Sequence, residues 1–260
     1  MAAEWIDVAE ARKRDGLRLA LVTGVPSPWG EAAKAIFHVK GVPYARVRQQ
    51  PGGANAELEE WSGQTSAPVA AWNEEKPRTG WAEILLLAER IAPKPRLVPE
   101  DAASRARLFG LVNELCGELG FGWCRRNAGV HLSIEKAPPG PLREYALGFG
   151  RKYGYRAEEG ELYGRRVRAI LELFTAIARE QRDRGSRFLL GDGISALDLY
   201  AATFMALLEP LGPADCPMDD GMRGFYTLRD PAQRAPGDEL LLAHRDFVYR
   251  EFLELPVVLT

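Results

Sequence analysis

The first third of the chain alternates between short apolar runs and segments in which apolar residues recur at helical spacing. Short apolar runs between turn-forming residues are typical of buried strands, and a repeat of three to four residues indicates one face of a helix. The runs predict strands at Leu17–Val22, Tyr44–Val47 and Val69–Trp72, with a brief fourth strand within Asn73–Thr79. The repeats predict helices at Glu31–Lys40, Ala54–Trp61 and Trp81–Ile91. The first strand, helix and strand indicate a βαβ unit with a parallel strand pair.

The pattern changes after a proline-rich stretch, Ala92–Pro99, which is typical of a stiff and extended linker. Every regular pattern beyond it is helical. Asp101 caps a long predicted helix that runs through Gly120 and either ends there or continues, bent, to about His131. Further helices are predicted at Leu142–Phe149, from about Tyr163 to Gly185, after Ser195 and at Glu239–Leu255. The order predicts an N-terminal extension (1–16), a mixed α/β domain (17–92), a linker (93–99) and an all-helical domain (100–260).

The clearest helix start in the chain is formed by Ser195 and by Asp198 three residues later. In this capping box the serine hydroxyl accepts from a helical amide, and the acidic side chain reaches back to the serine N–H. The pair ends a loop and begins a core helix, so it carries information about the fold and none about the chemistry. Removing either partner should cost about 1 kcal/mol or more.

Ser27 lies between the first predicted strand and the helix that follows it, in the segment Ser27-Pro28-Trp29-Gly30. Backbone amides at the start of a helix are unpaired and carry the positive end of the helix dipole, so they favour an anion. The hydroxyl of Ser27 can add a hydrogen bond to that anion, or it can simply cap the helix. Thr23, just past the strand, is the alternative hydroxyl.

Composition narrows the function without naming it. The net charge of −2 over 260 residues gives no case for a nucleic-acid binder, and no apolar run reaches membrane-spanning length. The first residues lack the pattern of a signal peptide, and three sparse cysteines fit a reducing compartment, so we expect a cytoplasmic protein. Cysteines and histidines share no ligand spacing, and we expect no metal.

Three segments together resemble the glutathione transferase superfamily. Ser27-Pro28-Trp29 resembles its Ser-Pro-aromatic or Cys-Pro-aromatic segment, and Ala67-Pro68-Val69 resembles its cis-proline segment. The third segment, residues 188–198, is similar to the family's Leu-x-Gly-Asp-x-x-Thr/Ser-x-x-Asp box. The resemblance covers about residues 17–211. It implies an α/β thioredoxin-like N-terminal domain followed by an all-α helical-bundle domain.

The resemblance also implies an activity and a site. The implied enzyme activates the thiol of glutathione, its co-substrate, for attack on a small hydrophobic electrophile, and the family precedent implies a homodimer. Ser27 would be the catalytic residue, because its hydroxyl would donate to the glutathione thiolate. The residues implied to bind glutathione are Trp29, Ala67, Pro68, Arg48 and Thr79, with Ala67 offering its backbone to the cysteinyl part. The electrophile site would lie between the domains, where Phe109, Val112, Phe121 and Trp123 are candidates for its lining.

The match fails at one place. Family members carry Glu or Asp and then Ser at the start of the helix after the fourth strand, to hold the γ-glutamyl end of glutathione. This chain has Gly80 and Trp81 there. The departure keeps an alternative open: a catalytically silent homologue that acts as a binding or interaction protein. A thiol–disulfide oxidoreductase would need cysteine at position 27 and is disfavoured.

Overall fold

The computed structural model describes residues 5–259, with Leu142 described by its backbone alone. It begins with a four-stranded sheet of order β1-β3-β2-β4. The strands are β1 (Trp5–Ile6), β2 (Leu17–Val22), β3 (Tyr44–Gln49) and β4 (Val69–Trp72). Strand β3 pairs in parallel with both β1 and β2, whereas β4 runs antiparallel to β2. The predicted parallel pair is therefore the centre of the sheet.

Four helices accompany this sheet: α1 (Val8–Ala11), α2 (Pro28–Val39), α3 (Ala56–Ser62) and α4 (Trp81–Ile91). Helices α2 and α4 pack against each other, and α1 contacts α3 and β3. The inner face of α2 is built from small and apolar side chains, which allows close approach to its neighbours. Its buried members are Ala32, Ala33, Ala35, Ile36 and Phe37.

Two details of this unit differ from the predictions. Residues 5–16, predicted as an extension, supply β1 and α1, and Trp5 pairs with Arg46 at the edge of the sheet. The first four residues of that extension lie outside the described residues. The predicted fourth strand is only an isolated antiparallel bridge between Ala70 and Arg78. Pro77 has no N–H to donate, which limits the pairing at this edge.

The rest of the described chain is helical, which confirms the predicted change from mixed to helical structure. The long predicted helix is broken: α5 ends at Cys116 and α6 begins at Phe121, because residues 117–120 form a turn with Leu119 at φ 57°. A short helix, α10, lies in the segment predicted as loop-rich. The helices are α5 (Ala102–Cys116), α6 (Phe121–Lys136), α7 (Pro141–Lys152), α8 (Gly160–Asp183), α9 (Ala196–Met205), α10 (Asp220–Tyr226) and α11 (Glu239–Phe252).

One hydrophobic core runs through both units, because α2 packs on α9. The proline-rich linker is anchored to this core at two points. The buried ammonium of Lys40 donates to the carbonyls of Ala92 and Pro95 at 2.7 and 2.9 Å and pairs with Glu89 at 2.7 Å. The carbonyl of the buried Leu97 accepts from the amide of Ala196 at 2.9 Å.

The buried carboxylate of Asp198 organises the loop before α9. Its oxygens accept from the amides of Leu189 and Ser195 at 2.7 and 2.9 Å and from the Ser195 hydroxyl at 2.6 Å. The ring of His244 on α11 lies 3.0 Å from the same carboxylate. Asp198 is fully buried. Because it contacts His244, the predicted capping pair also joins α9 to α11.

The C-terminal segment after α11 turns back onto the α/β unit. Glu254 pairs with the buried guanidinium of Arg46 at 2.8 Å. The carbonyl of Val258 accepts from the ammonium of Lys34 at 3.2 Å, and that of Leu259 accepts from the amide of Gly24 at 2.7 Å. The tail therefore closes directly over the loop that follows β2.

Candidate functional site

The register of the sheet brings three loops to one end. Strands β2 and β3 are parallel, with Val22 beside Gln49, so the loops after both strands start at the same edge. Strand β4 is antiparallel, with Val69 beside Ala20, so the segment before β4 enters at that edge too. The amide of Thr23 donates to the carbonyl of Gln49 at 3.0 Å, which ties two of the loops together.

Ser27 is the N-cap residue of α2 and has an extended backbone (φ −63°, ψ 120°) because Pro28 follows it. Its amide donates to the carbonyl of Val25, and its carbonyl accepts the first helical bond from Glu31. The hydroxyl makes no hydrogen bond to any residue in 5–259, and the side chain is only partly buried. The hydroxyl is therefore available to a ligand at the positive end of the helix dipole.

The Ala67–Pro68 peptide bond is cis, as predicted, and Pro68 is buried. Ala67 is partly exposed, and within the described chain neither its N–H nor its C=O has a hydrogen-bond partner. A donor and an acceptor on one residue can form two hydrogen bonds with an extended peptide. Ala67 lies beside the end of β2, the strand that leads to Ser27.

The start of α4 reaches the same end of the sheet. Arg78 and Ala70 form an antiparallel bridge, so Thr79 and Gly80 continue in the direction of Val69 and the residues before it. The amide of Gly80 donates to the Glu83 carboxylate at 3.2 Å. The Thr79 hydroxyl has no hydrogen-bond partner in the described part of the chain. At the start of α4, the polar groups that can bind a ligand are therefore the Thr79 hydroxyl and the backbone amides of the first helical turn.

The ring of Trp81 packs between the α/β unit and the helical unit. The ring centroid lies 5.7 Å from that of Phe109 and 5.8 Å from that of Tyr200, whose hydroxyl donates to the Trp81 carbonyl at 3.3 Å. Trp81 therefore holds α4 against α5 and α9. Of the other candidate lining residues, Val112 and Phe121 are fully buried in the core and line no open site.

Arg48 and Thr23 are directed to partners of their own. The exposed guanidinium of Arg48 donates to the Trp5 carbonyl at 2.6 Å, at the outer edge of the sheet. The Thr23 hydroxyl lies 3.3 Å from the Gln49 carbonyl and donates to it. Ser27 is therefore the better-placed hydroxyl of the two considered from the sequence.

Trp29 joins the two units. Its indole N–H donates to the Cys116 carbonyl at 3.0 Å, and its ring meets that of Phe204 edge to face at 4.9 Å. The guanidinium carbon of Arg126 lies 4.6 Å from the Trp29 ring centroid. Arg126 was not singled out from the sequence, because no motif or informative spacing surrounds it on α6.

The three cysteines are buried, and their environment disfavours the thiolate form. Burial raises the pKa of Cys216 to about 11 and that of Cys124 to about 12, and it holds the pKa of Cys116 well above its usual range. A thiol that stays protonated is a poor nucleophile. The described residues thus offer no thiol for exchange chemistry.

We expect all three cysteines to be silent toward a thiol reagent such as dithionitrobenzoate in the native protein at neutral pH, and all three to react in guanidinium chloride. Free glutathione under the same conditions provides the rate of an unprotected thiol. A native thiol that reacts within a factor of ten of glutathione would contradict the burial described here.

Among residues 5–259 no three His, Cys, Asp or Glu side chains are placed to hold a metal ion. No helix in that range combines the length and the apolar character that crossing a membrane requires. An acidic concavity lined by Asp15, Asn73, Glu74 and Glu75 lies at the start of β2, which is the opposite end of the sheet from Ser27.

The fold is shared with many solved structures. A glutathione S-transferase from Methylobacterium radiotolerans JCM 2831, in complex with glutathione sulfonate, aligns with 90% of this chain and 91% of its own at 18% identity and a TM-score of 0.60. The β-etherase LigF from Sphingobium sp. strain SYK-6 aligns with 90% of this chain and 95% of its own, at 18% identity and a TM-score of 0.61. A glutathione S-transferase from Methylobacillus flagellatus KT with bound glutathione aligns with 90% of this chain and 95% of its own, at 11% identity and a TM-score of 0.63.

By sequence the chain stands apart: no family model and no curated protein matches it. At these identities the structural likeness establishes the fold. The predicted fold class, a thioredoxin-like domain followed by an all-helical domain, is confirmed.

Proposed function

We propose that this chain, which has the glutathione transferase fold, is a glutathione transferase that uses Ser27 to stabilise the glutathione thiolate. The observation that supports it best is the convergence of two groups at one end of the sheet, the Ser27 hydroxyl and the backbone of Ala67, neither of which has a hydrogen-bond partner among residues 5–259. The proposed enzyme acts in the cytoplasm as a homodimer, as composition and resemblance respectively imply.

The chemistry required of Ser27 is a hydrogen bond to an anion. A free thiol has a pKa of about 8.5 and is mostly protonated at neutral pH. A hydrogen bond to a charged group contributes about 1.5–3 kcal/mol, and one pKa unit corresponds to about 1.36 kcal/mol. The hydroxyl, assisted by the α2 dipole, would lower the pKa of the bound thiol by about one to two units. Ser27 acts as a donor and removes no proton.

The peptide part of glutathione would be held mainly by backbone groups. The N–H and C=O of Ala67, beside Pro68, suit the cysteinyl residue, and the Thr79 hydroxyl with the first amides of α4 suits the γ-glutamyl carboxylate. The side chains of Arg48 and Trp29 are engaged with other partners, and the proposal gives them no contact with glutathione.

Ser27→Ala should raise the pKa of bound glutathione by about one unit or more, because it removes one charged hydrogen bond. Glutathione affinity should change little, since the backbone contacts remain. Turnover with a neutral aryl halide should fall about tenfold at neutral pH and recover in part at high pH. The measurement is a thiolate absorbance titration of the wild type and the variant with glutathione bound.

Thr23→Val is the matched control, because it removes a hydroxyl that already donates to Gln49. It should leave the titration curve unchanged. Superimposable curves for wild type and Ser27→Ala would assign the role to Thr23 or to backbone amides. A wild type that binds no glutathione would refute the transferase and leave the silent homologue that acts as a binding protein.

A further inference from the structure

Arg126 has no anionic partner among residues 5–259. Within residues 5–259 its guanidinium donates no hydrogen bond and forms no ion pair, and its pKa is lowered by desolvation without a nearby carboxylate to oppose the shift. Other arginines of the helical unit do form ion pairs; Arg166, for example, meets Glu114 at 2.7 Å. A desolvated charge is costly unless it is paired, so an unpaired guanidinium calls for a ligand that supplies the anion.

Aromatic rings hold the guanidinium in place. Its central carbon lies 4.0 Å from the ring centroid of Tyr153 at the end of α7 and 4.6 Å from that of Trp29 in the first turn of α2. Cation–π contacts fix the position of the group, yet they leave the N–H donors in the guanidinium plane without acceptors. The donor fork is therefore fixed in position before any ligand arrives.

Two phenols belong to the same cluster. Tyr153 and Tyr226 both interact electrostatically with Arg126, and neither hydroxyl has a hydrogen-bond partner in the described residues. Burial raises the pKa of Tyr226, so this phenol remains a donor at neutral pH. None of the unpaired nitrogens of Arg126 is sealed from solvent. One guanidinium and two phenol groups thus form a set of donors in which Arg126 and Tyr153 are partly exposed and Tyr226 is buried.

The cluster lies beside the proposed thiolate. Trp29, which Arg126 stacks on, is two residues from Ser27 in the first turn of α2. The phenyl ring of Phe225, next to Tyr226, is largely exposed and adds apolar surface. A co-substrate with an apolar body and one acidic group would match the charge and the surface on offer.

We propose that Arg126 binds a carboxylate or sulfonate on the second substrate, so that the electrophile accepted here is an organic anion with an apolar or aromatic body. This placement rests on the proposed transferase function. The guanidinium fixes the acidic end of the electrophile while its reactive carbon faces the thiolate held by Ser27. Arg126 is a specificity residue and takes no part in the activation of the thiol.

The test compares two fluorescent probes that differ by one acidic group: anilinonaphthalenesulfonate and the neutral N-phenylnaphthylamine. Arg126→Met should weaken the sulfonate probe about ten- to a hundredfold, which is the loss expected for charged hydrogen bonds, and the neutral probe less than about twofold. Arg151→Met is the control, because it removes the same charge from an exposed site on α7. Equal weakening of both probes, or of neither, would overturn the proposal.

A second measurement uses the unaltered protein. Benzenesulfonate should displace the bound sulfonate probe at least about tenfold more effectively than benzenesulfonamide, its neutral counterpart. Equal displacement would refute the proposal even if Arg126→Met fails to fold. Calorimetric titration of glutathione separates the two proposals: affinity lost in Arg126→Met would assign the anion to glutathione itself and overturn the inference. If the wild type binds no glutathione, the transferase proposal fails while the probe result still decides on Arg126.

Discussion

Asp198→Ala should lower the free energy of unfolding by about 3–5 kcal/mol, which is the cost expected when a buried charged network loses its central member. The carboxylate accepts from two amides and one hydroxyl and contacts His244, and it is fully buried. Its loss leaves the amides of Leu189 and Ser195 without hydrogen-bond acceptors in the protein interior. Denaturant unfolding followed by circular dichroism measures the effect.

Asp192→Ala is the matched control, since this exposed carboxylate lies six residues earlier, in the loop before α9, and should change stability by less than about 0.5 kcal/mol. Asp198→Asn should fall between the two, because an amide oxygen still accepts but its NH₂ group meets the amides as a second donor. A loss below about 1 kcal/mol for Asp198→Ala would show that the network contributes little.

Gly122→Ala should destabilise the protein by about 1–3 kcal/mol through overpacking. A methyl group at this position on α6 would lie 2.6 Å from the ring of Phe204 and 2.8 Å from that of Trp29, closer than carbon atoms tolerate. Because Trp29 lies two residues after Ser27, in the first turn of α2, the strain should also reduce any glutathione-dependent turnover. Unfolding curves and turnover on one preparation test both effects.

Gly129→Ala on the same helix provides the opposite expectation. The new methyl group would meet only the end of the Arg125 side chain at an ordinary 3.5 Å. Alanine is the better helix former, so this variant should gain about 0.5–1 kcal/mol. If the two variants shift stability alike, the helix propensity of α6 and not the contact with Trp29 controls the result.

Elements with strong local signals were predictable from the sequence. Strands β2 and β4 match their predicted bounds, because each is a compact apolar run between turn residues. Strand β1 was not predicted, since Trp5 and Ile6 are too few to form a pattern and are a strand only through pairing with β3. The short α10 was missed because Asp219 caps a helix with little apolar periodicity.

The site divides in the same way. Ser27 and Pro68 stand in motifs and were found from them. Arg126 was not, because its meaning comes from rings on α2 and α7 that are far away in the sequence and from the lack of a carboxylate near it. The interdomain packing of Trp81 was equally hidden, since its partners lie on α5 and α9.

The C-terminal segment that returns to the α/β unit (residues 254–259) determines when that unit can complete its contacts during synthesis in the cell. Glu254 contacts Arg46 and Val258 contacts Lys34 from positions 208 and 224 residues later in the chain. At a synthesis rate of about 5–20 residues per second, the ribosome needs roughly 10–45 s to supply them. During that interval the guanidinium of Arg46 lacks its carboxylate partner Glu254, and the tail does not yet cover the loop after β2. This surface therefore stays open to chaperones that bind nascent chains until residues 254–259 have been synthesised.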